Sequence, residues 1–305
     1  MMRIGGLASG LLCLVLSCAA GQACQLSLLG AVMQQPLTYN PFEAGASPAA
    51  ISFTIKNTDS KSCDVAFAFF KPGAPQASGP GGSLTYQIFA PGGPVTQNAV
   101  SPPTVLPGAA SASYFTVGAK QTYTAKAIVT VGEWQVVPPG TYADTLYLGI
   151  YQSAGGGQYT KAQIPSTPFG VLIGVNSQMT VALAGGGRKT TLNFGDFVQG
   201  ATRSVQLQAY ANQGFRLTVS SDNAGVMRPT DAQAIAEGIW QVPYTVAINR
   251  MAPFSLSRPQ LLSLWPAATQ KSGITIPFDV QAGSIAGQRA GTYRDVITIA
   301  IDAGP

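Results

Sequence analysis

Two cysteines are the residues whose chemistry is easiest to predict in this sequence. Four cysteines occur, of which Cys13 and Cys18 lie in the apolar N-terminal stretch and Cys24 and Cys63 follow it. An apolar N-terminal stretch of this kind is typical of exported chains, in which an even pair usually forms a disulfide, so we predict a bond between Cys24 and Cys63. Closing a loop of about 40 residues, such a bond stabilises the fold by roughly 3–4 kcal/mol in the chain-entropy model. Two free thiols are the alternative.

Residues suited to catalysis or metal binding are scarce. The sequence has no histidine, which removes Ser–His and Cys–His pairs and the usual zinc sites. The stretch Gly185–Thr191, "GGGRKTT", is similar to a phosphate-binding loop, but Arg188 stands where a glycine is needed before Lys189. We interpret this stretch as a turn between strands. The sequence therefore predicts no enzyme, no cofactor and no metal site.

The charge pattern argues against a nucleic-acid partner. Charged residues make up 10% of the chain, and the net charge of +5 is spread along it. A nucleic-acid site needs lysines and arginines clustered with aromatic residues, and the sequence has no such cluster.

The first 23 residues have the pattern of a secretory signal peptide. Arg3 precedes the mostly apolar run Ile4–Ser17, and the small residues Ala20 and Ala23 follow as cleavage points. We favour cleavage after Ala23, with Ala20 as the alternative. The sequence Val15–Cys18 is a poor lipobox, so a lipid anchor is a second, less favoured reading.

The remaining chain has the composition of an all-β protein. Glycine (35) and proline (22) are abundant, and valine, threonine, isoleucine and aromatic residues recur in short alternating runs. Such runs separated by turn signals are typical of β-sandwiches.

The sequence repeats itself at two landmarks. "GTYADTLYLGIY" (Gly140–Tyr151) matches "GTYRDVITIAID" (Gly291–Asp302), and "LTYNPFEAG" (Leu37–Gly45) matches "LNFGDFVQG" (Leu192–Gly200). We interpret Gly-Thr-Tyr as a turn with an aromatic residue plugging a corner. The fold prediction is two immunoglobulin-like β-sandwich domains, over residues 24–175 and 176–305.

The two copies differ after their shared Gly-Thr-Tyr strand. The first continues into another apolar segment, expected to be a strand over Phe169–Val175, and the second has no counterpart in the sequence. We therefore expect the second domain to lack its last strand. Its edge, with Ile297, Ile299 and Ile301, is predicted to accept a strand from another chain.

Three segments resemble a known family. These are "LNFGDFVQGATRSVQLQAYANQGFRLTVSSDNAGVMR", "QVPYTVAIN" and "AGTYRDVITIAI". They are similar to the spore coat protein U domain family, which includes subunits of archaic (Csu-type) chaperone–usher pili. The match covers Leu192–Ile301 well and the first copy more weakly, and a two-domain member resembles the tip adhesin. The resemblance implies export to the periplasm, a periplasmic chaperone, an outer-membrane usher, a strand-donating neighbouring subunit, and a final place on the cell surface in adhesion and biofilm formation.

A further expectation concerns the position in the pilus. Cys24 directly follows the predicted cleavage site, so we expect no free N-terminal extension to donate to a neighbour, which is the property of a tip subunit. A structural spore-coat or surface-layer protein is the alternative. A carbohydrate-binding module is less favoured, because the loops at the far end of the first domain are aliphatic.

The predicted contact with an abiotic or host surface lies in the long connection of about Ala90–Gln121. The candidate side chains are Val95, Val100, Val105 and Leu106. Apolar residues on a proline-stiffened loop can mark a contact site. The alternative is that the loop folds back and its apolar side chains form a satellite core.

Overall fold

The computed structural model describes residues 24–45, 48–107 and 111–304. The predicted signal peptide lies outside these residues. The described part contains twenty-two strands and one short helix, which confirms the all-β prediction. None of its helices is long and apolar enough to cross a membrane.

The N-terminal part of the described chain contains thirteen strands. In chain order they are β1 (Leu26–Gln34), β2 (Leu37–Tyr39), β3 (Ala49–Asn57), β4 (Cys63–Lys71), β5 (Gln76–Gly79), β6 (Gly82–Ala90), β7 (Gly93–Pro94), β8 (Thr96–Asn98), β9 (Ser113–Val117), β10 (Thr122–Val131), β11 (Gly140–Gly155), β12 (Gln158–Lys161) and β13 (Thr167–Val175).

These strands form two packed layers. One layer has the order β1-β3-β10-β6, and the other contains β4, β11, β13 and β2, with β5 joining β6 to β11. Alternate side chains point inward, and the rings of Phe53 on β3 and Phe67 on β4 meet edge to face at 5.0 Å. The period of two therefore produces the sandwich core that the sequence predicts.

The C-terminal part contains nine strands and the helix. They are β14 (Met179–Leu183), β15 (Thr202–Ala211), β16 (Phe215–Ser221), β17 (Val226–Pro229), α1 (Ala232–Glu237), β18 (Val242–Ile248), β19 (Gln260–Trp265), β20 (Ile274–Ala282), β21 (Tyr293–Arg294) and β22 (Ile297–Ala303).

Again the strands form two layers around an apolar core. The larger has the order β14-β15-β20-β18-β17-β21, and the smaller has the order β19-β16-β22. Among the described residues, no strand pairing joins β1–β13 to β14–β22. Each part also has its own main cluster of buried apolar side chains.

The predicted disulfide is present. Cys24 and Cys63 are bonded, with their Cα atoms 6.1 Å apart. The bond ties the residues just before β1 to the first residue of β4. It therefore joins the two layers of the N-terminal part.

The repeated Gly-Thr-Tyr forms the same corner twice. The Tyr142 hydroxyl lies within hydrogen-bond distance of the carbonyls of Pro138 (2.9 Å) and Pro80 (2.7 Å), and the Tyr293 hydroxyl donates to the carbonyl of Arg289 (2.8 Å). In both cases an acceptor lies four residues upstream, as in the tyrosine corner of β-sandwich proteins. Gly140 and Gly291, which open the two turns, have φ values of +144° and +157°, both in the range that favours glycine.

Candidate strand-binding site

The central feature of the C-terminal part is the edge of β22. In the N-terminal part, β11 pairs with β4 and β5 on one side and with β13 on the other. Its repeat counterpart is β21 followed by β22. Among the described residues, β22 pairs only with β16, and β21 pairs only with β17. The side that β13 covers in the first copy is open in the second.

The open side carries backbone groups available for hydrogen bonding. In an antiparallel pair, alternate residues bond the partner strand while the others point away from it. Gly304 donates its amide to the carbonyl of Gly214, so the even-numbered positions face β16. The N–H and C=O groups of Ile297, Ile299 and Ile301 therefore point to the open edge, where they can template a further strand.

The same three isoleucines are incompletely covered. Ile297, Ile299 and Ile301 face the core but are only half-buried. Their counterparts on β11 share a different environment, because β13 lies beside Leu146 and Leu148, and Ala162, just after β12, donates its amide to the carbonyl of Ile150. These counterparts are Leu146, Leu148 and Ile150, with exposed fractions of 0%, 2% and 4%.

Comparison of the two copies indicates which segment forms the second wall of the opening. In the first copy, Leu37–Tyr39 (β2) pairs in parallel with β13 at Ile173–Val175. The equivalent segment in the second copy, Leu192–Phe194, forms no strand. β14 comes within 8 Å of β22 between Cα atoms but shares no ladder with it. We call the open edge of β22 the strand slot, and the repeat places Leu192–Phe194 on its far side, as β2 lies beyond β13 in the first copy.

The first copy shows what fills such a slot. The inward side chains of β13 are buried between the layers, and they are Phe169, Val171, Ile173 and Val175. An extended segment with apolar residues at every second position fits the slot, because its backbone can pair with β22 and its side chains can cover the isoleucines. The chemistry available here is therefore the binding of a β-strand.

The turn leading into β22 is held by Asp295. Its carboxylate accepts hydrogen bonds from the Ser221 hydroxyl (2.6 Å), the Asn223 amide (3.1 Å) and the Tyr244 hydroxyl. Burial, and then the hydrogen bond to Asp295, raise the pKa of Tyr244 above its usual range. These contacts fix where the open edge begins.

The first copy has an equivalent tyrosine–aspartate hydrogen bond, but a lysine replaces the serine as a further partner of the carboxylate. There the Tyr86 hydroxyl donates to Asp144 (2.7 Å), and Lys71 forms an ion pair with the same carboxylate. Lys71 takes the place that Ser221 has in the second copy.

The four apolar loop candidates have two different environments. Val95 lies in the main core and Leu106 packs against Phe70 and Tyr151 on the outer face of β4 and β11. Val100 and Val105 are exposed, with exposed fractions of 73% and 48%. The satellite core therefore forms around Leu106, while Val100 and Val105 remain available at the surface.

Much of the long connection follows the alternative in which the loop folds back. β8 runs parallel to the end of β4, with Phe69 opposite Thr96. Val105 then forms an isolated antiparallel bridge to Thr160 of β12. Much of the connection therefore lies along the sheet, because the outer face of β4 and β11 carries apolar side chains that need cover. The stretch Gly185–Thr191 forms the turn and irregular segment that follow β14, as predicted.

Comparisons with known proteins found similar solved structures only. No family model matches the chain, and no curated protein matches it. A complex of the CsuC chaperone and the CsuE tip adhesion subunit from the archaic Csu pili of Acinetobacter baumannii is similar at 12% identity and a TM-score of 0.45, covering 85% of this chain and 92% of that chain. The CupB6 tip adhesin of Pseudomonas aeruginosa is similar at 10% identity and a TM-score of 0.39, covering 92% and 97%.

Proposed function

We propose that this chain is an exported, non-enzymatic subunit of an archaic (Csu-type) chaperone–usher pilus, placed at the tip and used in adhesion and biofilm formation. Residues 24–175 form its adhesin-like domain, and residues 176–305 form a pilin-like domain that accepts a strand. The observation that carries the proposal is the strand slot. A periplasmic chaperone fills it first, and a neighbouring subunit fills it after passage through an outer-membrane usher.

Physical chemistry supports strand addition at this edge. The slot offers a row of backbone donors and acceptors beside half-buried isoleucines, so one added strand gains hydrogen bonds and apolar burial together. Burying an exposed apolar surface yields about 25 cal/mol per Å². A flat apolar edge left uncovered also favours aggregation, which gives the chain a reason to meet a chaperone soon after export.

A charge placed inside the slot tests this function. Ile299→Asp directs a carboxylate into the slot, whereas the matched control Thr298→Asp directs one to the outer face of the same strand. We expect Ile299→Asp to abolish co-purification with the pilus chaperone from periplasm, and Thr298→Asp to retain it. Equal retention by both variants would show that the chaperone binds elsewhere.

The tip position needs a separate measurement. Immunogold labelling of this subunit on assembled pili should mark one end of each fibre. Label distributed along the shaft would refute the tip assignment, and surface assembly in the absence of an usher would support a coat protein instead. The exposed Val100 and Val105 are our candidates for contact with an abiotic or host surface, and Val100→Ser/Val105→Ser should reduce attachment without reducing piliation.

A further inference from the structure

Two arginines face each other beside the strand slot. Arg228 on β17 lies directly opposite Arg294 on β21, and both side chains are exposed on the outer face. Directly opposed residues in antiparallel strands have Cβ atoms about 4.5–5.5 Å apart, and like charges at that spacing are destabilising. The pair therefore lowers the stability of the isolated chain.

The fold itself does not require these arginines. The equivalent cross-strand pair in the first copy is Ser78 on β5 and Ala143 on β11. Both copies make the same corner and the same pairing at this point, one with neutral residues and one with two cations. The difference between the copies points to a role outside folding.

No carboxylate of the described residues neutralises the pair. Neither Arg228 nor Arg294 is in an ion pair within 4 Å. Asp231 and Glu237, the nearest acidic residues along the chain after Arg228, both pair with Arg289, at 3.8 and 3.4 Å.

The first copy shows what lies next to this position. Ala143 has Ser78 on one side and Leu172 of β13 on the other. Leu172 is 56% exposed, so its side chain stands in the same outward row. A strand in the slot of the second copy places one residue in the position of Leu172, directly beside Arg294.

We propose that the strand that fills the slot carries an aspartate or glutamate at this position. The proposal rests on strand addition at the slot and specifies its partner. The acidic residue is flanked by apolar residues at −3, −1, +1 and +3, the spacing of Phe169, Val171, Ile173 and Val175 around Leu172. This pattern is symmetric, so it holds whether the added strand runs parallel or antiparallel to β22.

The carboxylate fits the two guanidinium groups in charge and geometry. Guanidinium groups bind carboxylates through two parallel N–H···O bonds, and one carboxylate with two oxygens can be shared between two arginines. Its arrival offsets the repulsion between Arg228 and Arg294. The arginine pair thereby selects an acidic strand over a neutral or basic one.

The test uses peptides copied from the chain's own slot-filling segment, Thr167–Val175, with Leu172→Glu, Leu172→Gln or Leu172→Lys. Binding to the mature protein is measured by calorimetry at low salt and again at about 0.5 M NaCl, where surface charges are screened. We expect the Glu peptide to bind about fivefold more tightly than the Gln peptide and at least about tenfold more tightly than the Lys peptide, with the differences shrinking at high salt.

Two protein variants test whether the preference among the peptides depends on Arg228 and Arg294. Arg228→Ser/Arg294→Ala introduces the residues of the first copy and should remove the preference among the peptides. Arg258→Ala, at an exposed arginine before β19, should leave the preference unchanged. Equal binding of the three peptides to the unaltered protein would refute the acidic position while leaving strand addition intact. Failure of every peptide to bind would refute strand addition, and this inference with it.

Discussion

The open slot makes a quantitative prediction about two equivalent core positions. Leu148 on β11 and Ile299 on β22 occupy the same place in the two copies, but Leu148 is 2% exposed and Ile299 is half-buried. Truncating a fully buried leucine to alanine costs about 3 kcal/mol, within the usual range of 2–5 kcal/mol. Because part of the Ile299 side chain already meets water and no strand packs over it, Ile299→Ala should cost about half as much, roughly 1.5 kcal/mol.

Urea unfolding can separate these values. With a slope of about 2 kcal/mol per M, the midpoint should fall by about 1.5 M for Leu148→Ala and by about 0.7 M for Ile299→Ala. Tryptophan fluorescence reports both parts, since Trp134 precedes β11 and Trp265 ends β19. Thr298→Ala, on the outer face, is the control and should change the free energy of unfolding by less than about 0.5 kcal/mol.

The relative cost of Ile299→Ala and Leu148→Ala can refute the open slot. If Ile299→Ala costs as much as Leu148→Ala with nothing added, the slot is closed in solution and the argument from half-burial is wrong. If the slot is open, adding a binding peptide should raise the cost of Ile299→Ala, because the peptide then completes the burial of that side chain.

Three further outcomes follow from the N-terminal part. Replacing the disulfide by Cys24→Ala/Cys63→Ala should lower the free energy of unfolding by about 4 kcal/mol, from the sequence separation of 39 residues, measured by denaturation without reductant. Tyr151→Phe should raise it by about 1 kcal/mol, because the buried Tyr151 hydroxyl has no hydrogen-bond partner among the described residues. Burial raises the pKa of Tyr151, so the fold keeps its full stability against ionisation of this hydroxyl below about pH 10, the unfolded value. That stability is lost as pH rises further, and Tyr151→Phe should flatten the alkaline loss in a pH series. Leu106→Ala should cost about 2–4 kcal/mol through the satellite core, whereas Val100→Ala should be neutral in thermal unfolding.

Much of the fold could be predicted because its signals are local. Alternating apolar residues predict strands from neighbouring positions alone, and the expected strand over Phe169–Val175 is observed as Thr167–Val175. The pairing of Cys24 with Cys63 could be predicted because few cysteines remain beyond the predicted signal peptide. The environment of the loop residues was not predictable in this way. Leu106 is buried because it meets Phe70 and Tyr151, and its own segment carries no sign of those partners.

The second wall of the slot and the arginine pair were missed by the sequence analysis. The wall could have been inferred from the repeat, because Leu37–Tyr39 and Leu192–Phe194 occupy matching positions. Only Leu37–Tyr39 has a strand to pair with. The segments around Arg228 and Arg294 contain no pattern that predicts that these two residues lie opposite each other. Their opposition depends on the register between β17 and β21, which are far apart in sequence.

By itself, the sequence determined that this is an all-β chain with a repeated unit, a disulfide between Cys24 and Cys63, and a strand carrying Ile297, Ile299 and Ile301. These features depend on residue type and on a period of two, which are properties of short segments. The tertiary structure decided which side of that strand is open and which backbone groups point outward. It also decided that two arginines stand together beside the opening. Those features depend on cross-strand register, which is set by the packing of whole layers rather than by any one segment.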